Sequence, residues 1–300
     1  MFDMEAWVTG GTARDIYLGK TPHNYNISVK APLLELQSKL KERIVSVNKV
    51  SASITIKYKD CLYIISPFKK IELKNTYPNY KYTNYIEEDA KSRDFTMNAL
   101  YFNPLTNEWV DLCNGKADID KKLVNFIGDP LDKILESKIR LLRATIFPAI
   151  LGEGWELGFK TQEAIKSYKL RVMSLSPNSI HSEMKKVFTR CKKPSKVFNT
   201  WRKTHLLREF FPELYHTINI DQSQKNENLD LYYHIMYAMD SVPLEQSNAL
   251  LIRLAALLHD IGKPHTEVYT DTGRHFYDHE RVGKVLGGVI LRRWGFSNKL

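Results

Sequence analysis

Cysteine is scarce in this chain, long apolar runs are absent, and one basic stretch contains no acid. Only three cysteines, Cys61, Cys113 and Cys191, occur among 300 residues, without the paired spacing of a disulfide framework or a zinc site. They read as free thiols, so a reducing, cytoplasmic location is expected. No apolar segment approaches the ~20 residues of a membrane helix, and the first residues lack a signal-peptide pattern. No membrane partner is expected. Between Lys185 and Arg208 there is neither aspartate nor glutamate, against nine basic residues: Lys185, Lys186, Arg190, Lys192, Lys193, Lys196, Arg202, Lys203 and Arg208. Phe188, Phe198 and Trp201 are interleaved with them. A solvated helical face with its aromatics turned into the core would give the same pattern, but nine unopposed charges favour a phosphate-binding surface. The net charge of +10 points the same way, towards a polyanionic partner.

What is present suffices for two or three domains with a sizeable core, since 43% of the residues are hydrophobic. A short strand (Ala6–Val8), a glycine turn (Gly10, Gly11), a helix (Thr12–Leu18) and a second strand (Tyr25–Val29) open the chain. Two glycines between strand and helix let the backbone approach a phosphate, which the helix N-terminus favours; a plain tight turn has the same sequence. Ser53–Tyr58 and Leu62–Ile65 suit a hairpin around Lys59-Asp60. Asn75–Asn84 mixes tyrosine with lysine, asparagine and proline, and reads as an exposed loop. From Asp132 the periodicity becomes helical: Leu135, Ile139, Leu142 and Ile146 form one stripe, and Glu136, Arg140 and Arg143 fall on another face. Pro148 implies a kink or a helix end nearby. Thr161–Tyr168 and Pro177–Cys191 are amphipathic helices, and Asn219–Asp230 reads as a linker. Beyond it come His234 on a helix, the apolar helix Ala249–His259 running into His259-Asp260-Ile261-Gly262-Lys263, and Tyr277-Asp278-His279-Glu280.

Gly10-Gly11 with Arg14-Asp15 resembles the opening of the class II tRNA nucleotidyltransferase (CCA-adding) and bacterial poly(A) polymerase family, Gly-Gly-x-x-Arg-Asp. Ser92-Arg93-Asp94-Phe95-Thr96-Met97-Asn98-Ala99 is similar to that family's Arg-Arg-Asp-Phe-Thr-Ile-Asn-Ala, with Ser92 in place of the first arginine. Trp109–Leu112 with Gly115 and Asp118, Gly128-Asp129-Pro130 and Phe210–Leu214 continue the resemblance. It implies an α+β chain: a nucleotidyltransferase head of mixed sheet and helices (1–122), an all-α neck and body (123–218), a linker (219–230) and an HD-type helical domain (231–300), expected to be incomplete. It also implies ATP and CTP as family substrates, Mg²⁺ as the metal of the head, and tRNA or tRNA-like RNA as partner. The nucleotide positions carried over are Gly10, Gly11, Arg14, Asp15, Arg93, Asp94, Asn98, Arg140 and Arg143. RNA contacts are expected from Lys185, Lys186, Arg190, Lys192, Lys193, Lys196, Arg202 and Lys203.

The departures from the family pattern concern chemistry. Where the family has the metal-binding Asp-x-Asp, this chain has Asn24-Tyr25-Asn26. Ile64 stands where many relatives have glutamate. Ser137 replaces the aspartate that, with the arginine matched by Arg140, reads the base edge, and serine offers no carboxylate. Hard Mg²⁺ loses its waters reluctantly, and neutral amides are weak substitutes for carboxylates. The head therefore reads as degenerate at Asn24 and Asn26, with nucleotidyl transfer lost or severely impaired in an RNA-binding protein. The C-terminal histidines resemble the HD superfamily, which implies His234, His259, Asp260 and His279 as ligands to Mg²⁺, Mn²⁺ or Ni²⁺ and, as an alternative activity, metal-dependent phosphoester hydrolysis. A live transferase with unusual ligands and a truncated copy without catalytic role are the remaining readings.

Overall fold

The first strand, β1 (Ala6–Thr9), is short because Gly10 turns the chain at once: its φ of +67° lies in the region that favours glycine, and α1 (Gly10–Tyr17) follows without a loop. The helix thus includes both glycines expected in the turn. The computed structural model describes residues 4–22, 24–49, 51–74, 77–221 and 230–297. By its internal packing the chain divides into two units, Met1–Ser137 and Lys138–Leu300.

In the first unit, β2 (Asn24–Val29), β3 (Ile44–Asn48), β4 (Ser53–Tyr58), β5 (Cys61–Pro67), β8 (Leu100–Asn103) and β9 (Glu108–Asp111) join β1 in a seven-stranded sheet of order β3-β4-β5-β2-β1-β8-β9. The pair β2–β5 is parallel, with Asn24 opposite Leu62 and Asn26 opposite Ile64, and the other neighbours are antiparallel. The expected hairpin of β4 and β5 is present, turning between Tyr58 and Cys61. Alternation sends Val29, Ile54, Ile56 and Ile65 to a core shared with Leu36 of α2 (Leu33–Leu40). Trp7 and Tyr101 pack elsewhere, with Phe68 and with Ala90 of α3 (Ile86–Ser92), and a short helix, α4 (Gly115–Asp120), follows β9.

Two expectations are corrected in this unit. The tyrosine-containing segment is no loop: β7 (Tyr77–Tyr82) pairs antiparallel with β6 (Lys69–Lys74), while residues 75 and 76 lie outside those described. The Lys81–Glu72 ion pair and the Lys69 ammonium 4.8 Å from the centre of the Tyr80 ring hold the hairpin across the strands. The long helix from Asp132 is likewise two helices. Asp129 caps α5 (Pro130–Glu136) by accepting from Leu131 N at 2.8 Å, and Ser137 is extended (φ −160°, ψ 105°). A new helix, α6 (Arg140–Leu151), then starts in the second unit. The supposed single stripe is therefore split, with Leu135 exposed and Leu142 and Ile146 buried. As Pro148 implies, a helix end is near: α6 stops at Leu151, before Gly152 at φ +110°.

The second unit continues with α7 (Phe159–Tyr168), α8 (Pro177–Arg190), α9 (Ser195–Lys203), α10 (Leu206–Phe210), α11 (Pro212–Tyr215), α12 (Leu231–Asp240) and α13 (Ala249–Leu258). A hairpin (Glu267–Thr270, Gly273–Phe276) and α14 (His279–Arg293) complete it. The residues expected as a linker lie mostly outside those described; Asp230 caps α12 by accepting from Tyr232 N at 2.6 Å. The aromatics of the basic stretch are core residues. Phe198 and Trp201 are fully buried and stack edge-to-face at 5.1 Å, Trp201 meets Phe210 at 5.2 Å, and Phe211 meets Trp294 of the last helix at 4.9 Å. Trp201 Nε1 donates to Thr145 Oγ1 on α6 at 2.7 Å. No helix among the described residues is long and apolar enough to cross a membrane.

Arg253 on α13 is fully buried and caps the end of α8. It donates to the carbonyls of Phe188 (3.0 Å), Cys191 (2.8 Å) and Val242 (2.7 Å). Arg253→Ala orphans these acceptors, at about 1–3 kcal/mol for each left unsatisfied. The expected result is a second unit destabilised by more than ~3 kcal/mol in urea unfolding; a loss below ~1 kcal/mol would show that water replaces the guanidinium.

Candidate functional site

In the first unit the sequence-predicted residues converge on the β1–α1 junction and the face of β2 that carries Asn24, Asn26 and Ser28. Arg93 follows directly on α3 and is the hub. Its Nη2 donates to Asp89 Oδ2 at 2.8 Å and to Ser28 Oγ at 2.9 Å, and its Nε donates to Tyr101 Oη at 3.0 Å. Tyr101 in turn donates to Asp89 Oδ2 at 2.7 Å, and Lys69 N donates to Oδ1 at 3.1 Å. Burial alone would raise the pKa of Asp89. Arg93, Tyr101 and the backbone outweigh it and hold the carboxyl below its ordinary range. A second chain of contacts runs from Asp15 through Arg14, whose Nη1 donates to Asn98 Oδ1 at 2.9 Å, and on from Asn98 Nδ2 to Asp94 Oδ1 at 3.4 Å. A Cβ built on Gly10 would lie 3.6 Å from Arg93 Nη1 and 3.7 Å from Asn26 Cβ, so the glycine, Arg93 and Asn26 share one surface. The structure thus brings Gly10, Arg14, Asp15, Asn26, Arg93, Asp94 and Asn98 together. Gly11 faces the Arg14 guanidinium.

On this surface Asp15 and Asp94 come from α1 and from the segment after α3, while neither β2 nor β5 presents an acid. Asn24 is exposed and Asn26 half-buried. The Thr12 hydroxyl donates to the Asn24 carbonyl at 3.0 Å and accepts from Asn26 N at 2.8 Å and Asn26 Nδ2 at 3.2 Å. The Asn26 amide is thus used as a donor, a role that a carboxylate cannot fill. Parallel register puts Leu62 beside Asn24 and Ile64 beside Asn26, so β5 supplies no carboxylate to this face. The donor set does not fit a hard divalent cation. Ser92, at the first-arginine position, is buried and donates to Asp89 O at 2.8 Å.

The other predicted nucleotide residues, Arg140 and Arg143, lie on α6 in the second unit. Arg140 is buried, and Arg143 Nε is paired with the buried Glu183 at 3.3 Å. Lys186 shares that carboxylate at 2.8 Å. Of the predicted RNA-binding cations, Lys185, Arg190, Lys192, Lys193 and Lys203 are exposed. Lys196 donates to Gly152 O at 2.8 Å, and Arg202 lies over the rings of Tyr232 and Tyr233.

The histidines of the second unit form the one cluster of metal-ligating side chains found among the described residues, His234, His259 and Asp260. His234 Nε2 is 3.2 Å from His259 Nε2, and Asp260 Oδ2 lies 3.5 Å and 3.1 Å from these two nitrogens. His279 Nε2 approaches Asp260 Oδ1 at 3.5 Å. Backbone carbonyls orient two of the rings: Ala256 O lies 2.9 Å from His259 Nδ1, and Phe276 O lies 2.7 Å from His279 Nδ1, which turns both Nε2 atoms inward. Three imidazoles around one carboxylate fit a borderline divalent transition metal. Lys263 Nζ is already 2.7 Å from Asp260 Oδ2. Burial would raise Asp260, but hydrogen bonds from His259 and Lys263 hold it well below the carboxylate range, and the bond to Asp260 raises His259.

Sequence reasoning missed Thr12, Ser28, Asp89, Tyr101 and Lys263, which hold the predicted residues in place. The i, i+4 spacing of Asp89 to Arg93 and the i, i+3 spacing of Asp260 to Lys263 were the available signals.

Residues 6–125 match the family model described as the poly A polymerase head domain. Residues 154–217 match "Probable RNA and SrmB- binding site of polymerase A", and residues 214–296 match the HD domain. The CCA-adding enzyme of Bacillus subtilis is 28% identical over 262 residues, 85% of this chain and 62% of that protein. Poly(A) polymerase I of Haemophilus influenzae is 26% identical over 222 residues, 70% of this chain and 48% of the relative. The chain thus spans 62% of the first relative's length and about half of the second's. Among solved structures, a tRNA-processing enzyme (apo form 2) superposes with a TM-score of 0.66 at 18% identity, covering 99% of this chain and 75% of that one. The Bacillus stearothermophilus CCA-adding enzyme in complex with CTP gives 0.61 at 18% identity, covering 98% and 78%. These likenesses show a shared fold.

Two variants test the scaffolds. Asp89 holds a depressed pKa in the folded head, so its stabilisation is full above the unfolded carboxylate value of ~3.9 and is lost as pH falls through the folded value. Asp89→Asn should cost ~3–5 kcal/mol at neutral pH and flatten this acid limb. Hydrogen-exchange protection of β1, β2 and β8 measures both, and an unchanged acid limb would refute the assignment. In the second unit, a Cβ on Gly262 would collide with His279 O and crowd Gly283 N at 2.7 Å. Gly262→Ala should therefore push His279 away from Asp260 and weaken Mn²⁺ or Ni²⁺ binding in calorimetry at least tenfold; equal affinity would show that His279 is no ligand.

Proposed function

We infer the function from the family to which this chain belongs, that of the CCA-adding enzymes and poly(A) polymerases, as its head, RNA-binding and HD domains assign it: it is an RNA-binding member whose head has lost nucleotidyl transfer. The family reaction adds nucleotides to RNA 3′ ends without a template, and tRNA or a tRNA-like RNA is the partner this reading assigns to the chain. The observation that carries the loss is the acid-free face of β2 and β5, with Asn24, Asn26, Leu62 and Ile64 side by side. A divalent metal in a head of this type activates the 3′ hydroxyl and stabilises the leaving pyrophosphate. Each missing carboxylate removes several kcal/mol of that stabilisation, and ~1.4 kcal/mol is tenfold in rate. Gly10, Gly11, Arg14, Asp15, Arg93, Asp94 and Asn98 keep the shape of a nucleotide site, while Arg140 keeps the arginine but Ser137 omits the carboxylate of base reading. The exposed cations from Lys185 to Lys203 supply a surface for the RNA backbone, and a cytoplasmic location suits the free thiols.

With tRNA lacking its CCA end and labelled CTP and ATP, the wild-type protein should leave the 3′ end unextended; extension would overturn the reading. Asn24→Asp/Asn26→Asp should gain Mn²⁺ binding by electron paramagnetic resonance without CTP-selective incorporation, because Ser137 cannot pair with Arg140 to read the base. Selective incorporation by that variant would place the loss at Asn24 and Asn26 alone.

A second reading has its own support. The four inward-facing groups His234, His259, Asp260 and His279 suit a metal-dependent phosphohydrolase. Mn²⁺- or Ni²⁺-dependent hydrolysis of cyclic or monoester phosphates, abolished in His259→Ala, is the expected result. Absence of hydrolysis with each metal in the wild type would exclude it.

A further inference from the structure

A cleft of about 310 Å³ opens in the second unit beside α10, lined by Lys169, Arg202, His205, Arg208, Glu209 and Tyr215 among others. His205, at φ +58°, forms the sharp turn from α9 into α10, which brings Arg202 and Arg208 to one opening. Arg202 and Arg208 come from the basic stretch, whereas Lys169, Glu209 and Tyr215 lie outside it and belong to no motif discussed above.

Its cations differ from their neighbours in what holds them. Arg143 and Lys186 share the carboxylate of Glu183, and Arg293 is paired with Glu213. Arg202 is held by aromatic faces, its guanidinium 5.5 Å from the Tyr232 ring centre and 5.6 Å from that of Tyr233, with a 3.0 Å bond to Tyr233 Oη. Arg208 lies 6.0 Å over the ring of Tyr215, and Lys169 Nζ donates to a backbone carbonyl, Lys166 O, at 3.2 Å. A ring or a carbonyl orients a cation without cancelling its charge. Among the described residues, the cleft is thus lined by three cations oriented by rings or a carbonyl, one imidazole and one carboxylate, Glu209. Planar guanidinium groups match phosphate oxygens in bidentate fashion, and an exposed tyrosine ring offers a stacking face to a base. The volume is at the lower end for small-ligand sites (~300–1,000 Å³), the scale of one nucleotide.

We propose that this cleft binds one nucleotide of the RNA, its phosphate held by Lys169, Arg202 and Arg208 and its base against Tyr215. The proposal rests on the RNA-binding reading and adds a defined subsite to what is otherwise a diffuse basic surface. It predicts a contribution to affinity that exposed lysines of equal charge do not match.

The test measures tRNA binding to the full chain across a salt series, with Lys169→Ala/Arg208→Ala compared with Lys192→Ala/Lys193→Ala. The cleft variant should weaken binding about tenfold more than the control at about 150 mM salt and lower the slope of log K against log salt by about 1.5. Arg208→Lys, which keeps the charge but loses the bidentate fork, should fall between the wild type and Arg208→Ala, and circular dichroism checks that each variant is folded. A cleft variant no weaker than the control overturns the subsite while leaving RNA binding intact. The second readout is the His205 imidazole resonance on addition of AMP. A shift that vanishes in Arg208→Ala supports a phosphate in the cleft even where tRNA binds no tighter than polyglutamate of equal charge, a result that would remove only the RNA reading. No shift with AMP overturns the cleft whatever tRNA does.

Discussion

The head is organised around one guanidinium. Arg93 ties the end of α3, the C-terminal end of β2 and the start of β8 to a single buried carboxylate, Asp89, with Tyr101 and Ser28 completing the shell. A buried ion pair of this kind contributes little net stability relative to apolar packing, but breaking one side of it is costly. It therefore specifies geometry: Gly10, Asn26 and Arg93 cannot drift apart while the pair persists. None of these contacts uses a residue that a catalytic metal would need. The Arg93 frame and the pair Asn24 and Asn26 are physically separable here, and the first unit keeps its fold with neutral residues at both positions.

The two candidate centres make the contrast concrete. On the face of β2, Thr12 satisfies the backbone at Asn24 and the side chain of Asn26, so the neutral residues are integrated rather than merely tolerated. An aspartate at Asn26 would face a hydroxyl whose one proton is already given to the Asn24 carbonyl. In the second unit the acid is retained and its charge reinforced, with Asp260 bonded by His259 and Lys263 and approached by His234 and His279. Burial and charge act on both centres by the same rules; only the second has anionic and imidazole donors converging on one point.

Local patterns were legible where the chemistry is local. The strand–glycine–helix–strand opening, the β4–β5 hairpin and the His259-Asp260-Ile261-Gly262-Lys263 turn all depend on neighbours in sequence. Misreadings came where distant packing decided. The segment of β7 read as a loop because its pairing with Lys69–Lys74 leaves no period in the sequence. The stripe from Leu135 to Ile146 has helical spacing throughout, yet Ser137 is extended because its two halves belong to different units. Phe188, Phe198 and Trp201 are spaced among lysines in a way that does not by itself separate a binding surface from a core; all three are buried, and Phe198 and Trp201 pack with Phe210 and Phe211, which in turn meet Trp294. The cleft at Arg208 had no signature, since whether an arginine is cancelled by a carboxylate or held by a ring depends on what folds against it.

Binding and catalysis differ in how they tolerate loss. Affinity for a polyanion grows with the number of phosphates neutralised, through counterion release, and is insensitive to the placement of any one lysine. Lys185, Arg190, Lys192, Lys193 and Lys203 satisfy that requirement by exposure alone. Metal-assisted phosphoryl chemistry requires charge at fixed ångström-scale positions, so two neutral residues remove most of it. On the reading proposed above, the neutral residues Asn24, Asn26 and Ile64 lie where transfer would be most sensitive and RNA affinity least. The Arg93 frame and the Asp260 cluster rest on contacts that involve neither Asn24, Asn26 nor Ile64, so the physical reasons for both remain in force whatever stands at those three positions.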